Sequence, residues 1–188
     1  IAITTSSFGT YDTTILSMLR KKNLRIVTNP YGRTLTPEEL LQIAGNAVGI
    51  IAGTEKIAQD TLTKLPLLKV ISRCGTGMDS IDLVCAKELG IKVFNTPDAP
   101  TEAVAELTVG LMLNLLRKIS EMDHELKNRR WKKIMGNLLA SQKVGIIGYG
   151  RIGRRVAKLL RPFGVTLAYT DPFVAVRTKH IKKLPLTK

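Results

Sequence analysis

Residues 143–171 read KVGIIGYGRIGRRVAKLLRPFGVTLAYTD. Val144 to Ile147 form a short β-branched run of the kind that makes a buried parallel strand, and the run stops at Gly148, where a GxGxxG turn begins. Ile152, Val156, Leu159 and Leu160 then recur at helical spacing until Gly164, and Thr166 to Tyr169 supply a second strand leading into Asp171. Each glycine has its own task. Gly148 makes the tight turn, Gly150 lets backbone approach a pyrophosphate, and Gly153 lets the helix pack on its strand, while the helix N-terminus faces the phosphates. Asp171 stands where a carboxylate accepts hydrogen bonds from ribose hydroxyls. It would repel a 2′-phosphate by at most roughly 4 kcal/mol at a separation of about 4 Å, so NAD is expected over NADP, softened by Arg151, Arg154 and Arg155 nearby. A glycine-rich turn in an unrelated α/β protein is the competing reading.

Outward from this stretch, 188 residues allow one large domain or two small ones, and 44% hydrophobic content is ample for a packed core. No window is long and apolar enough to span a bilayer, and the opening IAITTSSFGT lacks the basic region and apolar run of a signal peptide. Cys74 and Cys85 have no metal-ligand spacing and read as reduced core thiols of a cytoplasmic protein, with no metal site expected. The net charge of +14 alone would point to an anionic partner such as nucleic acid. Its concentration in Lys127 to Lys133, Arg151 to Arg161 and Arg177 to Lys188 fits a solvated basic face better, so nucleic acid is not the expected partner.

The chain before the hairpin alternates strand and helix. Ile1 to Thr4, Leu24 to Val27, Val48 to Ala52, Lys69 to Ser72 and Ile91 to Asn95 read as strands. Ile15, Leu16, Met18 and Leu19 read as the buried face of a first helix. Thr36, Pro37, Glu38 and Glu39 open a second with a capping box, and Ile57, Leu62 and Leu65 mark a third. Ser80 is the expected cap of a helix over Ile81 to Leu89 that Gly90 ends. This pattern predicts a parallel sheet covered on both faces over residues 1–97, with a linker at Thr96-Pro97 and Ala99-Pro100 and a second domain over 98–188. Thr101 opens a long helix whose Val104, Leu107, Leu111, Met112, Leu115 and Leu116 make it apolar over most of its circumference, so it should be covered on several sides. Burial within one domain and a share in a subunit interface both fit, the latter because Glu121 to Arg130 and Trp131 look like an arm reaching a partner.

A second glycine-rich loop, Ser72 to Asp82, follows the fourth strand. Ligands of open parallel sheets gather beyond the carboxyl ends of strands, so its bare amides could hold a carboxylate; a tight turn with a structural Asp82 is the other reading.

In order and spacing, RCGTGMDSID, NTP at Asn95 to Pro97, AELT at Ala105 to Thr108, a tryptophan followed by basic residues, and VGIIGYGRIG resemble the D-isomer-specific 2-hydroxyacid dehydrogenase family, most closely its branch acting on 3-phosphoglycerate. The resemblance covers about residues 45–173. It implies a flavodoxin-like substrate domain plus a Rossmann NAD-binding domain, two doubly wound parallel-sheet α/β domains, the second incomplete in this sequence. It also implies NAD as cofactor, a small 2-hydroxy or 2-keto acid as substrate, and a homodimer through the helix and arm over 101–131. By resemblance, Gly75, Thr76 and Gly77 sit at the substrate carboxylate and the nicotinamide side, Arg73 matches an arginine near a substrate phosphate, and Thr108 matches a cofactor-side threonine. Tyr149, Arg151 and Ile152 join Gly148, Gly150, Gly153 and Asp171 at the cofactor. The expected activity is hydride transfer between nicotinamide and C2 of a D-2-hydroxy acid, with 3-phosphoglycerate as the named candidate; the alternative is a non-catalytic NAD-sensing protein like the corepressors that resemble this family.

Two departures qualify the resemblance. Ala52-Gly53 stand where phosphoglycerate enzymes commonly carry Arg-Ser, removing one phosphate ligand. No residue matches the family's catalytic arginine, glutamate and histidine: His124 reads as a surface or interface residue, and His180 has no carboxylate nearby in sequence to tune it, so no catalytic residue is assigned. After Asp171 only one further strand fits, in Lys183 to Thr187, which would leave Ile146 and Ile147 near an open sheet edge. Leu184-Pro185-Leu186-Thr187 resembles a later family strand, and with a start at Ile1 this leads to the expectation that segments of the natural protein are absent from this sequence.

Overall fold

The computed structural model describes residues 1–175 and 180–185 and divides into two compact units, Ile1–Ala99 and Pro100–Lys188. In the first, β1 (Ala2–Ile3), β2 (Val27–Thr28), β3 (Gly49–Ala52), β4 (Val70–Arg73) and β5 (Lys92–Asn95) form one wholly parallel sheet in the order β2-β1-β3-β4-β5. Ile50, Ile71 and Ala52 lie in its core, with Leu40, Ala44, Leu62 and Ala86 packed over them from the helices. The helix α2 (Pro37–Ala44) begins as expected: Thr36 Oγ1 accepts the Glu39 N–H at 3.3 Å, the Glu39 carboxylate accepts the Thr36 N–H at 2.9 Å, and Pro37 opens the first turn.

Three local expectations are corrected. Helix α1 (Thr14–Arg20) buries no residue; Ile15 and Met18 are exposed, and the helix leans on its own preceding loop, where Leu16 covers Gly9. The third helix shrinks to α3 (Gln59–Leu62), because Ile57 is drawn into a parallel bridge with Ile81. That bridge also takes Ile81 out of the next helix, so α4 (Leu83–Glu88) is capped by Asp82, which accepts the Cys85 N–H at 3.0 Å, and not by Ser80. Cys85 is buried, which pushes its thiol pKa up, with Asp82 and Glu88 adding to the effect; Cys74 is exposed and is no core thiol.

In the second unit, β6 (Lys143–Ile147), β7 (Thr166–Thr170) and β8 (Lys182–Lys183) are parallel in the order β6-β7-β8. The last strand therefore lies beside β7 and starts one residue earlier than expected, while Leu186 to Lys188 fall outside the described residues, as do Val176 to Lys179 of the basic tail. Among the described residues β6 is a sheet edge, and Ile147 is 81% exposed on it. The expected long helix is two, α5 (Pro100–Arg117) and α6 (Ile119–Lys127), separated by Lys118 at φ 59°. Asn114 Oδ1 takes the Ser120 N–H and hydroxyl at 3.0 and 2.9 Å, which holds the break. Covering of α5 is one-sided: Ala105 and Val109 are buried against α7 (Arg151–Leu160), whereas Leu107, Leu111 and Leu115 are each more than half exposed. No helix among the described residues is long and apolar enough to cross a membrane.

Candidate functional site

In the second unit the glycine hairpin takes the shape its spacing predicts. Gly148 has φ 88°, a conformation that an L side chain strains, and its N–H donates to Thr170 O at 2.9 Å, extending the β6–β7 ladder by one bond. Gly153 sits so close beneath the turn that an added Cβ would lie 2.2 Å from Gly148 O. Gly150, the residue before α7, has open space around its Cβ position. The first-turn N–H groups of α7 have no intrahelical partner and carry the positive end of the helix dipole. Together these make a cradle for an anionic diphosphate.

Asp171 is tied into the same structure. Its Oδ2 accepts the Tyr149 N–H at 2.7 Å and its Oδ1 accepts the Phe173 and Val174 N–H groups at 2.8 and 2.9 Å. The Tyr149 bond, then that of Phe173, holds the carboxyl below its ordinary pKa against the opposing effect of burial. A carboxylate offers about four acceptor directions, so at least one remains for an outside hydroxyl. Tyr149 is spent internally: its ring is 7% exposed, stacks on Tyr169 with centroids 4.2 Å apart, and carries the Arg154 guanidinium over it at 5.9 Å. Beside the hairpin, at the carboxyl ends of the three strands, lies an open cleft of about 790 Å³ walled by Ile147, Gly148, Thr170, Pro172, Leu184 and Pro185, with Asp171 and Lys183 at its polar side. The sequence reading missed Leu184 and Pro185 here, since their position depends on β8 pairing with β7. Arg151 is exposed, Ile152 is 36% exposed, and the Thr108 hydroxyl is bonded back to Val104 O at 2.7 Å.

In the first unit, Gly75, Thr76 and Gly77 form the loop after β4, and it is laced to the end of β5. The Gly75 N–H donates to Thr96 Oγ1 at 2.8 Å, the Thr96 N–H to Gly75 O at 3.0 Å, Asn95 Nδ2 to Thr76 O at 2.7 Å, and the Thr76 hydroxyl to Pro97 O at 3.3 Å. The Gly75 amide is thus occupied, while the N–H groups of Thr76, Gly77 and Met78 have no acceptor among the described residues. Three consecutive bare amides suit a carboxylate. Arg73 folds back under this loop, its Nη1 donating to Cys74 O. Asp82 caps α4, so it is structural. His124 is exposed on α6 beside Asn128, with 3.1 Å between Nε2 and Nδ2.

The model for the D-isomer specific 2-hydroxyacid dehydrogenase catalytic domain matches residues 2–181. The chain belongs to this family. Among its relatives, D-3-phosphoglycerate dehydrogenase of Methanocaldococcus jannaschii is 42% identical over 143 residues, which cover 74% of this chain and 27% of that protein. Hydroxypyruvate reductase of Thermotoga maritima is 37% identical over 158 residues, covering 82% of this chain and 50% of that protein. The solved structure of NAD-dependent formate dehydrogenase from Staphylococcus aureus in complex with NAD is 25% identical, with a TM-score of 0.81 over 98% of this chain and 60% of that one. The chain spans half or less of the length of the curated relatives named.

Proposed function

We propose that this chain is the cofactor- and substrate-binding part of an NAD-dependent oxidoreductase that moves hydride between the nicotinamide and C2 of a D-2-hydroxy acid. The supporting observation is the hairpin: Gly150 open, Gly153 locked under Gly148, and Asp171 fixed at the end of β7. The α7 N-terminus and Gly150 would hold the diphosphate, Asp171 the adenosine ribose, and the cleft at Leu184 and Pro185 the flat base. Bound there, the dinucleotide supplies the redox chemistry, and the protein supplies binding and orientation. The Thr76 to Met78 amides would hold the substrate carboxylate and so fix which face of C2 is presented. Among the acids of this class, the Methanocaldococcus relative favours 3-phosphoglycerate, and the Thermotoga relative favours a hydroxyl in place of the phosphate. The relatives named are enzymes, so the cofactor-sensing alternative gains no support.

None of the 188 residues matches the family's proton-transfer group. The chain is expected to bind NADH, read as a change in nicotinamide fluorescence, without sustained oxidation when 2-keto acids are added. Steady turnover by these residues alone would mean that the acid/base has been overlooked, and absence of NADH binding by the folded chain would remove the proposal.

Homodimerisation through residues 101–131 is part of the same proposal. Val104, Leu107, Leu111 and Leu115 recur at helical spacing on one exposed face of α5, and a contiguous apolar stripe of this kind marks an association surface. Light scattering should give a dimer mass for the natural sequence and a monomer mass for Leu111→Glu combined with Leu115→Glu. A monomer before substitution refutes the interface.

A further inference from the structure

The sheet of the first unit changes direction between β1 and β3, and ligands of doubly wound sheets gather beyond the strand ends at such a switch point. Glu55 lies there and is 2% exposed. Its Oε1 accepts the Gly53 N–H at 2.9 Å and also the Thr4 hydroxyl. Its Oε2 points between the loops that follow β1 and β3: a Cβ added to Gly53 would lie 2.8 Å from Oε2 and 2.9 Å from Thr5 Oγ1. No donor or cation among the described residues reaches Oε2. An acidic side chain is costly to bury, and one left with an open acceptor at a ligand-binding strand end has a use beyond packing.

The chemistry of what it would meet follows from the neighbouring loop. Ala52 and Arg73 are paired across β3 and β4, and the Cys74 N–H donates to Ala52 O at 2.8 Å. The two loops thus start one strand spacing apart, about 4.8 Å, which is the span of a three-carbon acid. With its carboxylate on the Thr76 to Met78 amides, such an acid directs its C3 substituent toward Gly53. Oε2, backbone and the Thr5 hydroxyl are what it finds there, and Oε2 is the one charged group, because Gly53 has no room for a side chain. An open carboxyl oxygen rewards a hydroxyl donor and opposes a phosphate, whose oxygens are acceptors bearing negative charge. Arg73 does not offset this, since its Nη1 is turned to Cys74 O and fills the space under Gly75.

We propose that Glu55 reads the C3 substituent, selecting a 2-keto or 2-hydroxy acid with a free hydroxyl at C3 and rejecting its phosphorylated counterpart. The proposal rests on the oxidoreductase reading above. The test measures kcat/KM for NADH oxidation by the full-length protein with hydroxypyruvate, 3-phosphohydroxypyruvate and pyruvate. Hydroxypyruvate is expected to lead each of the others by about a hundredfold or more, since a site built to hydrogen-bond a substrate hydroxyl can discriminate by about 10⁴-fold. Glu55→Gln keeps the shape and should cut the ratio of hydroxypyruvate to its phosphate by about tenfold or more. Preference for the phosphorylated acid by the unaltered protein overturns the proposal, whether or not the variant folds, and leaves the oxidoreductase reading intact. An unchanged ratio in a folded Glu55→Gln overturns it as well. Turnover of none of the three counts against the oxidoreductase reading itself and removes this proposal with it.

Discussion

Gly153→Ala is expected to unfold the second unit more easily and to abolish measurable dinucleotide binding, although alanine is the better helix former. The gain in helix propensity is about 1 kcal/mol. Against it stands a Cβ placed 2.2 Å from Gly148 O and 3.2 Å from both Gly148 C and Ile146 Cγ2. The first two are backbone atoms of the turn, so no rotamer change relieves the contact; α7 must lift from β6 or the turn must open. Overpacking costs about 1–3 kcal/mol where side chains can adjust, and the upper end applies where backbone is met, so the steric term wins and a net loss of about 2 kcal/mol is expected. Gly150→Ala provides the contrast. Its φ of −76° suits alanine and its surroundings are open, so thermal unfolding should be unchanged or raised, yet the methyl would stand where the diphosphate must approach. Thermal unfolding and NADH fluorescence titration on both variants separate the two roles. Equal stability of Gly153→Ala and the natural sequence would refute the packing argument.

The same contrast shows what the sequence could reveal. The hairpin was legible because its determinants are local: a β-branched run, glycines at fixed offsets and an apolar helical period all lie within residues 143–171. Four of the five parallel strands of the first unit were legible for the same reason; the second lies at Val27–Thr28 and shares only Val27 with the expected Leu24 to Val27. Asp82 as cap was not legible, because Ser80 and Asp82 both offer an acceptor and the choice between them is made by Ile81, the residue between, bridging to Ile57 far back in the chain. Break of the long helix at Lys118 was equally hidden, since it rests on Asn114 capping Ser120 and not on a glycine or proline. For α1, apolar spacing promised a buried face that the fold does not provide. Glu55 is the largest omission. Within Thr54-Glu55-Lys56 it looks like a solvated loop acid, and only the meeting of β1 and β3 brings it against Thr4, 51 residues away.

Asp171→Asn is expected to weaken NADH binding by about a hundredfold and to bring the affinities for NADH and NADPH close together. One carboxylate here closes the turn through Tyr149 and orders the segment after β7 through Phe173 and Val174, and in the proposed reading its remaining lone pair would meet a ribose. Asparagine can accept on one side only; its NH2 would face either the Tyr149 N–H or the pair from Phe173 and Val174, donor against donor. The turn and the ribose contact should therefore be lost together, and so should the repulsion of a 2′-phosphate, which Arg151 and Lys183 nearby would then favour. The pH dependence carries a definite sign. The folded-state pKa is depressed, mainly by the Tyr149 N–H, so the ionised carboxylate contributes stability above the unfolded value of about 3.9, and that contribution is lost as pH falls through the folded value. Unfolding curves of the natural sequence and Asp171→Asn should thus run a constant distance apart from neutral pH down to about 4 and converge below it. A gap that widens on acidification would show that Asp171 is not held in its charged form by these backbone groups, and the account of the turn given above would fail with it.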